Sequence, residues 1–505
     1  MALKWMWGFE IGADETFYSG SGWQDSLMRF QSTSSGGGTY LDTHIESKNM
    51  VDYKNNFPHQ PLSSVGGGYY SLKIDAGEIV DYNTSLMASD DPFGVMTLKL
   101  GAISTASLSF SVYSDFDQTE WPGAADPNDT LYLQRFMALY PNEATLAPVI
   151  LAGAGRVPMS GASNNQMSTL MPQLQLFMFR TGSVNKILAA CITGSGTPGS
   201  VPDNPLLDYL LTSTAAGSSW IDNVTGAVNA GGNLDSYYVY TSSAGQYLSG
   251  NAWTEVSVQY HPHNVNGSLK IYLNGDEAIN VSGVSTGYTG SYDGDTDTPI
   301  LDNINNIGRV LFTATPFFAN PSAWISSVSS ALEPSNFWYD HVCLFDEASD
   351  LSTATASIFI QGLKPVSDNS IGNFVGDGLE TVSLYNYVND PNAAMETSYI
   401  QAGGVTDASF NLQDIDVIDS GAKLFVTASV GSYIGVGVIN ACENVGATSL
   451  NANSLMSGTS QALGETIIVS SSAKQMFSFV SGSDPDGADW SLSSINSLKS
   501  GIKIS

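Results

Sequence analysis

The feature that most constrains this chain is the alternation of apolar and polar residues with a period of two. It recurs in separate runs at 108–113, 174–179, 254–260, 269–273 and 337–345. Successive side chains of a β-strand point to opposite faces of its sheet, so this period predicts strands with one buried face. Clusters of Gly, Ser, Asn and Asp separate the runs and suit turns between antiparallel strands. The sequence therefore predicts an all-β protein.

Composition limits the partners of such a protein. The 505 residues include 17 Lys and Arg against 48 Asp and Glu, which gives a formal charge of −31. Binding to nucleic acid or to an anionic membrane surface depends on clustered Lys and Arg, which this chain cannot supply over a continuous face. The hydrophobic fraction of 42% is enough for large cores, so the charge does not indicate disorder. We therefore expect neither a nucleic-acid partner nor a polybasic membrane contact.

No segment predicts secretion or membrane insertion. Residues 1–12 lack the apolar core and small-residue cleavage site of a signal peptide, and no run approaches the roughly 20 apolar residues of a spanning helix. The cysteines Cys191, Cys343 and Cys442 are odd in number and far apart, which favours buried thiols in a reducing cytoplasm. His341 and Cys343 would share one face of a strand, which supplies half a metal site at most.

A change of composition near residue 362 predicts two domains. The polar run that begins at Lys364 and Pro365 has the character of a linker, and arginine does not occur after Arg309. We predict a first domain at 1–362 and a second at 363–505.

Helical patterns are confined to two short segments. Residues 204–211 suit one short helix, and residues 493–499 suit another, in which Ile495 and Leu498 face inward. Gly501 is predicted to cap the second helix.

The most specific local pattern is a pair of strands with its turns. The run WTEVSVQY at 253–260 is followed by a turn and then by GSLKIYLNG at 267–275. Asn274-Gly275 favours a tight hairpin turn, from which a further strand returns through Ile279. This arrangement is typical of the centre of an antiparallel sandwich.

This pair of strands resembles the centre of concanavalin A-like (laminin G-like) jelly-roll domains. Asn306-Ile307-Gly308 agrees with that resemblance, and FWYDHVCLFD at 337–346 is similar to the closing strand of such domains. In that fold the closing strand lies beside the first strand, which here would be 5–11. The resemblance covers most of residues 1–350 and implies a jelly-roll sandwich with a lectin-like surface.

The C-terminal part resembles a module of tailed-bacteriophage structural proteins. YNYVND at 385–390 and TSYI at 397–400 agree with that module. The ending, SDPDGADWS at 483–491 and INSLKSGIK at 495–503, keeps the Pro, Trp, Asn, Leu, Gly and Lys of the pattern and departs from it at its aspartates. The resemblance implies a smaller β-sandwich-like domain with a short terminal helix, which attaches the chain to a virion.

Carboxylate patterns favour binding over catalysis. Retaining glycoside hydrolases of the jelly-roll type carry a Glu-x-Asp-x-x-Glu strand, which this sequence lacks. The nearest acidic cluster, at 346–350, follows the closing strand in a predicted loop. We therefore expect that the protein is not an enzyme, with a polysaccharide-degrading glycosidase as the alternative.

Calcium is the best-motivated cofactor. Asp293, Asp295 and Asp297 occupy alternate positions and offer the hard oxygen ligands that calcium takes. The run lacks the glycine and glutamate of an EF-hand, and a solvated acidic loop is the alternative. A loss of thermal stability on chelation tests this site. His261 and His263 are a weaker metal candidate, in which His-x-His ligands from several chains meet at a trimer axis.

Together these patterns predict a virion structural protein of a tailed bacteriophage. A tail or fibre component is favoured, and a capsid head fibre or decoration protein is the alternative. The expected partners are other virion proteins, further copies of the chain in a homo-oligomer (a trimer is favoured) and a host-surface glycan. Trp5, Trp7, Tyr69 and Tyr70 are candidates for stacking on that glycan, although aromatic residues of strands more often belong to the core.

Overall fold

A computed structural model of the 505-residue chain shows a protein built almost entirely of β-strands. The structure describes residues 3–7, 24–25, 28–32, 51–54, 70–74, 94–115, 132–141, 173–181, 184–192, 228–229, 237–242, 248, 250, 252–263, 266–284, 286, 306–318, 336–345, 360, 363, 365–388, 399–414, 435–472 and 474–505.

Seventeen strands precede residue 362 and ten follow it among these residues. The first group is β1 (Leu3–Trp7), β2 (Gln24–Asp25), β3 (Met28–Ser32), β4 (Val51–Lys54), β5 (Tyr70–Ile74), β6 (Gly94–Ile103), β7 (Ala106–Ser114), β8 (Tyr132–Pro141), β9 (Leu174–Thr181), β10 (Val184–Ile192), β11 (Val228–Asn229), β12 (Tyr237–Thr241), β13 (Ala252–His261), β14 (Gly267–Leu273), β15 (Asp276–Val284), β16 (Ile307–Phe318) and β17 (Phe337–Phe345). The second group is β18 (Pro365–Ser370), β19 (Val375–Gly376), β20 (Ile400–Gln401), β21 (Thr406–Leu412), β22 (Val436–Glu443), β23 (Leu450–Ser457), β24 (Gln461–Leu463), β25 (Ile467–Val469), β26 (Lys474–Ser481) and β27 (Lys499–Ile504).

Two eight-stranded antiparallel sheets form a sandwich. The first sheet has the order β15-β14-β13-β7-β17-β5-β4, and β1 pairs with the second half of β17. The second sheet has the order β11-β12-β10-β9-β8-β16-β6-β3. Neighbours in both sheets are mostly distant in sequence, as expected for a jelly roll. The predicted all-β jelly-roll sandwich is confirmed, and the closing strand β17 does lie beside β1, although β1 covers Leu3–Trp7 rather than 5–11.

The core between the two sheets consists of large side chains. Phe110 of β7 contacts Phe136 of β8 and Phe312 of β16, with ring centroids 6.4 and 5.2 Å apart. Tyr339 of β17 is buried against Phe110 and Phe312. Alternate residues of the first sheet therefore point to the second sheet, which is the alternation that the sequence predicts.

The chain after residue 362, called here the C-terminal unit (363–505), has a smaller core of its own. Its main sheet has the order β18-β21-β27-β23-β24, and β25 pairs with β23. One short helix, α1 (Leu492–Asn496), packs Ile495 against Trp490 and Leu498. Ser491 begins this helix with a capping box, in which its side chain and that of Ser494 each accept from the other residue's backbone N–H.

The predicted helix at 493–499 is confirmed as an element, but its C-terminal end and its cap were predicted wrongly. The chain enters strand β27 at Lys499, and Gly501 lies inside that strand rather than at a helix end. A Cβ atom on Gly501 would overlap the backbone carbonyl of Ala408 in β21. The glycine is needed for close approach of two strands, a requirement that a sequence pattern for helix ends does not reveal.

Strands from both sides of residue 362 share one further sheet. Strand β2 pairs in parallel with β26, and β26 pairs with β22, so residues near the start of the chain extend a sheet of the C-terminal unit. Leu3 and Met6 of β1 also pack beside Val480. The division of the chain at residue 362 stays a prediction. Among the described residues, no helix is both long enough and apolar enough to cross a membrane.

Candidate functional site

The face of the first sheet that points away from the second sheet is called here the outer face; it is largely polar on β13, β14 and β15 and largely apolar along β17. On β7 it carries Ser107, Ser109, Ser111 and Tyr113, because the alternate residues such as Phe110 point into the core. Residues directly opposite each other in an antiparallel pair share a face, so the strand register extends this face to β13, β14, β15 and β17.

The part of the outer face formed by β7 and β17 is covered. Ser107 is 0% exposed and Asp340 is 1% exposed. At the end of β17, Cys343 and Phe345 occupy outer positions and belong to a cluster that includes Ile360 and partly buried Val480. Ile360 and Val480, the latter from the C-terminal unit, therefore cover the outer face at this end of the sheet.

A β-bulge in β17 contradicts the expectation that His341 and Cys343 share a strand face. The register shifts between Asp340 and Cys343, and His341 has a φ of 51°, in the left-handed region. The Nδ1 atom of His341 accepts from the backbone N–H of Ile360 at 3.3 Å. Burial lowers the pKa of His341 to about 4 and raises the pKa of the Cys343 thiol to about 12. A neutral imidazole and a protonated thiol are therefore the buried forms.

The part of the outer face formed by β13, β14 and β15 is open to solvent, and we call it the open part. Its half-exposed or exposed residues include Trp253, Glu255, Lys270, Tyr272, Glu277 and Asn280, whereas Ser257 and Gln259 of β13 are buried on the same face. Tyr272 lies opposite Glu277 on one side, and Lys270 lies opposite Asn280. The amide of Asn280 donates to the Glu277 carboxylate at 2.9 Å. By strand register, the neighbours of Tyr272 on this face carry an ammonium group, carboxylates and an amide.

The hairpin turn after β14 holds the backbone of Glu255 in place. Asn274 and Gly275 have φ angles of 50° and 85°, as a tight turn with two left-handed residues requires. The backbone N–H of Asn274 donates to the carbonyl of Glu255, and the Asn274 side-chain oxygen accepts from the Glu255 N–H, both at 2.9 Å. The sequence prediction of this turn at Asn274-Gly275 is confirmed, and the turn orders one end of the open part.

An aromatic row crosses the same end of the first sheet. The ring of Tyr113 lies 5.7 Å from that of Trp253 and 5.4 Å from that of Trp338. Tyr113 and Trp338 are buried, whereas Trp253 is half-exposed. Burial, followed by the negative charge of Asp115, raises the pKa of Tyr113 to about 12. The row ends at the open part and gives Trp253 a rigid base.

The predicted histidine pair lies at the end of β13. The Nδ1 atom of His261 lies 3.0 Å from the carbonyl oxygen of Ser104 and 3.1 Å from Oγ1 of Thr105. The Nδ1 atom of His263 accepts from the N–H of Asn266 at 2.9 Å, and the two rings stack with centroids 5.8 Å apart. In the part of the chain that the structure describes, no group of three His, Cys, Asp or Glu side chains is placed to hold a metal ion. Metal binding by this pair stays a prediction.

The predicted calcium site at Asp293, Asp295 and Asp297 lies outside the described residues, as do the predicted helix at 204–211 and the acidic cluster at 346–350. Of the described aspartates, Asp484 accepts from two backbone N–H groups of its own turn. Calcium binding by Asp293, Asp295 and Asp297 remains a prediction.

The N-terminal tryptophans are core residues. Trp5 and Trp7 are 2% and 1% exposed and stack on each other, with ring centroids 6.1 Å apart. Neither ring is available to stack on a sugar. For both tryptophans the alternative, that strand aromatics belong to the core, is correct. The side chains of Tyr69 and Tyr70 lie outside the description.

Comparison with protein-family models and with curated proteins gives no match. Solved structures are similar at low identity. A glucuronan lyase from Trichoderma reesei is 13% identical, with 66% of this chain and 100% of that chain covered and a TM-score of 0.34. An endo-1,3-β-glucanase from Streptomyces sioyaensis is 12% identical over 68% and 95%, with a TM-score of 0.34. Domain 4 of an arabinanase from Geobacillus stearothermophilus, solved with arabinotriose, is 10% identical over 70% and 98%, with a TM-score of 0.27.

These comparisons contradict the prediction that the chain is not an enzyme, because two of the similar structures are a lyase and a glucanase. The prediction depended on a missing Glu-x-Asp-x-x-Glu strand. That motif places two carboxylates on one strand, whereas carboxylates on different strands of one sheet face also come together, and a motif search along the chain does not detect them.

The open part was missed by the sequence analysis, although a signal for it exists. In the run 253–261, Trp, Glu, Ser, Gln and His occupy the odd positions, and Thr, Val, Val and Tyr occupy the even ones. A period of two with one set that is polar apart from a single Trp predicts a polar face as directly as it predicts a core face. The neighbours of that face on β14 and β15 follow from the register of the two hairpins.

Proposed function

We propose that this protein recognises carbohydrate on the open part of the outer face. A sugar presents apolar C–H surfaces together with hydroxyl groups, so its recognition needs a flat ring beside hydrogen-bond donors and acceptors. Tyr272 supplies the ring, and Lys270 and Glu277 supply the polar groups on its two sides. The observation that carries the proposal is this mixture on one half-exposed sheet face of a jelly roll.

Binding of the full chain to soluble polysaccharides tests this function, with a β-1,3-glucan, a β-1,4-glucuronan and an arabinan as the panel. Tyr272→Ala is expected to weaken binding about tenfold, because the sugar loses its stacking ring. Tyr272→Phe keeps the ring and is expected to keep most of the affinity. Tyr399→Ala, which removes a tyrosine that is 37% exposed in the C-terminal unit, is the control. Equal affinity of Tyr272→Ala and the parent chain for a bound polysaccharide would contradict the proposal.

A second candidate function, cleavage of the bound polysaccharide, is favoured by the positions of Glu255 and Asp340. Both lie directly opposite Ser111, on the two strands that flank β7. Since neighbouring strands are about 4.8 Å apart, the two Cα atoms are about 10 Å apart. This suits carboxyl groups that act as acid and base about 6.5–9.5 Å from each other. Asp340 is 1% exposed in the covered part of the outer face, and its Oδ1 accepts from the backbone N–H of His341 at 2.6 Å, whereas Glu255 is half-exposed. Different environments are what separate an acid from a base. Cleavage by this pair requires that the cover over β17 moves aside so that the substrate reaches Asp340.

Reducing-sugar release from the same panel tests cleavage. Glu255→Gln and Asp340→Asn are each expected to lower the rate about a hundredfold, because each removes one proton-transfer group. Glu465→Gln changes an exposed carboxylate of the C-terminal unit and is expected to keep the rate within a factor of a few. Release that persists in both Glu255→Gln and Asp340→Asn would show that this pair is not responsible.

The C-terminal resemblance supports a further proposal, that the chain is a component of a tailed-bacteriophage virion. The residues that carry the resemblance build the C-terminal unit: Trp490 is buried with its Nε1–H donating to the carbonyl of Ser481 at 2.9 Å, and Leu498 is buried beside it. We propose that this unit attaches the chain to virion proteins and to further copies of itself. Immunogold labelling of virions is expected to mark the tail; gold confined to heads would favour the capsid alternative, and unlabelled particles would contradict the proposal.

A further inference from the structure

A turn of the C-terminal unit exposes two large aliphatic side chains three residues apart. Leu379 and Val382 are each 70% exposed. They lie between strand β19 and a short 3-10 helix at Leu384–Tyr387. Single exposed aliphatic residues are common on protein surfaces, but two on one turn form a patch. We call Asp377, Leu379, Glu380 and Val382 the docking turn.

Hydrogen bonds make the docking turn rigid. The N–H of Gly376 donates to the carbonyl of Glu380 at 2.8 Å, and the N–H of Leu379 donates back to Gly376 at 2.9 Å. The hydroxyl of Tyr387 donates to the Glu380 carboxylate, and that of Tyr399 donates to Asp377. A surface that is already ordered loses little conformational entropy when it binds.

The backbone of the docking turn is also strained. Leu379 has a φ of 68°, and Ser383, one residue after Val382, has a φ of 57°. This left-handed conformation costs a residue other than glycine about 1–2 kcal/mol. A glycine at position 379 would relieve that cost, but the chain carries a leucine there and exposes it to water. Strain and exposure at the same residue indicate that its side chain serves a contact.

The charge around the docking turn defines the kind of partner. The C-terminal unit has fourteen Asp and Glu against five Lys. At the turn itself, the negative charges of Asp377 and Glu380 act on Tyr387, and those of Asp377 and Glu443 act on Tyr399. Glu380 follows Leu379 directly, and Asp377 precedes it by two residues. In a two-fold contact with a second copy, these carboxylates would face their own counterparts, which disfavours self-association through this surface. A partner that carries Lys or Arg gains attraction at the same positions.

We infer that the docking turn binds a protein segment that presents aliphatic side chains flanked by Lys or Arg. Leu379 and Val382 supply the apolar contact, and Asp377 and Glu380 pair with the cations at its rim. This contact lies on the C-terminal unit and is independent of the carbohydrate face on the first sheet.

A fluorescein-labelled ten-residue peptide of alternating Leu and Lys is the probe, and its binding to the full chain is followed by fluorescence anisotropy. The double variant Leu379→Ser/Val382→Ser is expected to weaken binding about tenfold, as is Asp377→Asn/Glu380→Gln. Added salt is expected to weaken binding by the parent chain. Leu463→Ser/Glu465→Gln removes an exposed leucine and an exposed glutamate elsewhere on the same unit and is the matched control.

Three outcomes would overturn the inference. The first is an affinity of Leu379→Ser/Val382→Ser equal to that of the parent chain. The second is an equal loss in the control variant Leu463→Ser/Glu465→Gln, which would show attraction to acidic surface in general. The third is a dimer in sedimentation velocity that Leu379→Ser/Val382→Ser abolishes, because the occupant would then be a second copy. Polysaccharide binding is expected to be the same in the docking-turn variants and the parent chain, so failure of one proposal leaves the other distinguishable.

Discussion

Gly501→Ala is expected to destabilise the C-terminal unit by about 3 kcal/mol. Gly501 lies in β27 between β21 and β23, paired with Ser409 and Leu455. The added methyl group would overlap backbone atoms of Ala408, which cannot rotate aside as a side chain could. The strands must therefore separate, and the hydrogen bonds on one side of β27 weaken. The midpoint of urea unfolding, followed by hydrogen exchange of the peptides that contain β27, measures the effect.

Gly403→Ala is the control for this prediction. Gly403 lies in the same unit, and a Cβ built there has no heavy atom within 4 Å, so the same substitution is expected to change stability by less than about 0.5 kcal/mol. Equal midpoints for Gly501→Ala and the parent chain would show that β21 and β27 have room that the described packing does not provide.

Local patterns in the sequence were sufficient for the sandwich and its central hairpins. The alternation at 254–260 and 269–273 and the turn at Asn274-Gly275 are each set by neighbours in sequence, and the structure places all three as predicted. In these segments, propensity, turn chemistry and burial agree, which is the condition under which sequence patterns are reliable.

Features that depend on distant neighbours were not predictable in the same way. The bulge at His341 arises where β17 leaves its pairing with β5 and begins its pairing with β1, and no local pattern records that change. The pairing of β2 with β26 joins residues more than 400 positions apart. The division of the outer face into a covered and an open part likewise depends on what packs over β17. The polar set of β13 was visible in the sequence, but its exposure was not.

Tyr339→Ala is expected to destabilise the sandwich by about 3–5 kcal/mol, because it removes a fully buried aromatic ring and leaves a cavity. The ring of Tyr339 packs 5.0 Å from Phe312, in an edge-on contact, and 6.2 Å from Phe110. Its hydroxyl donates to the carbonyl of Phe136 at 2.8 Å, across the space between the two sheets. The denaturation midpoint of the full chain, followed by near-ultraviolet circular dichroism, measures the effect.

Tyr339→Phe separates the hydrogen bond from the packing. Phe136 lies at an irregularity of β8, where the register shifts between Arg135 and Met137, so its carbonyl is outside the regular ladder toward β9. Removal of the Tyr339 hydroxyl leaves this buried acceptor without that bond, and a cost of about 1–3 kcal/mol is expected. Tyr272→Phe, at a half-exposed site, is the control and is expected to cost less than about 0.5 kcal/mol. If Tyr339→Phe were as stable as the parent chain, the bond across the sandwich would contribute nothing, and ring packing alone would hold the two sheets together.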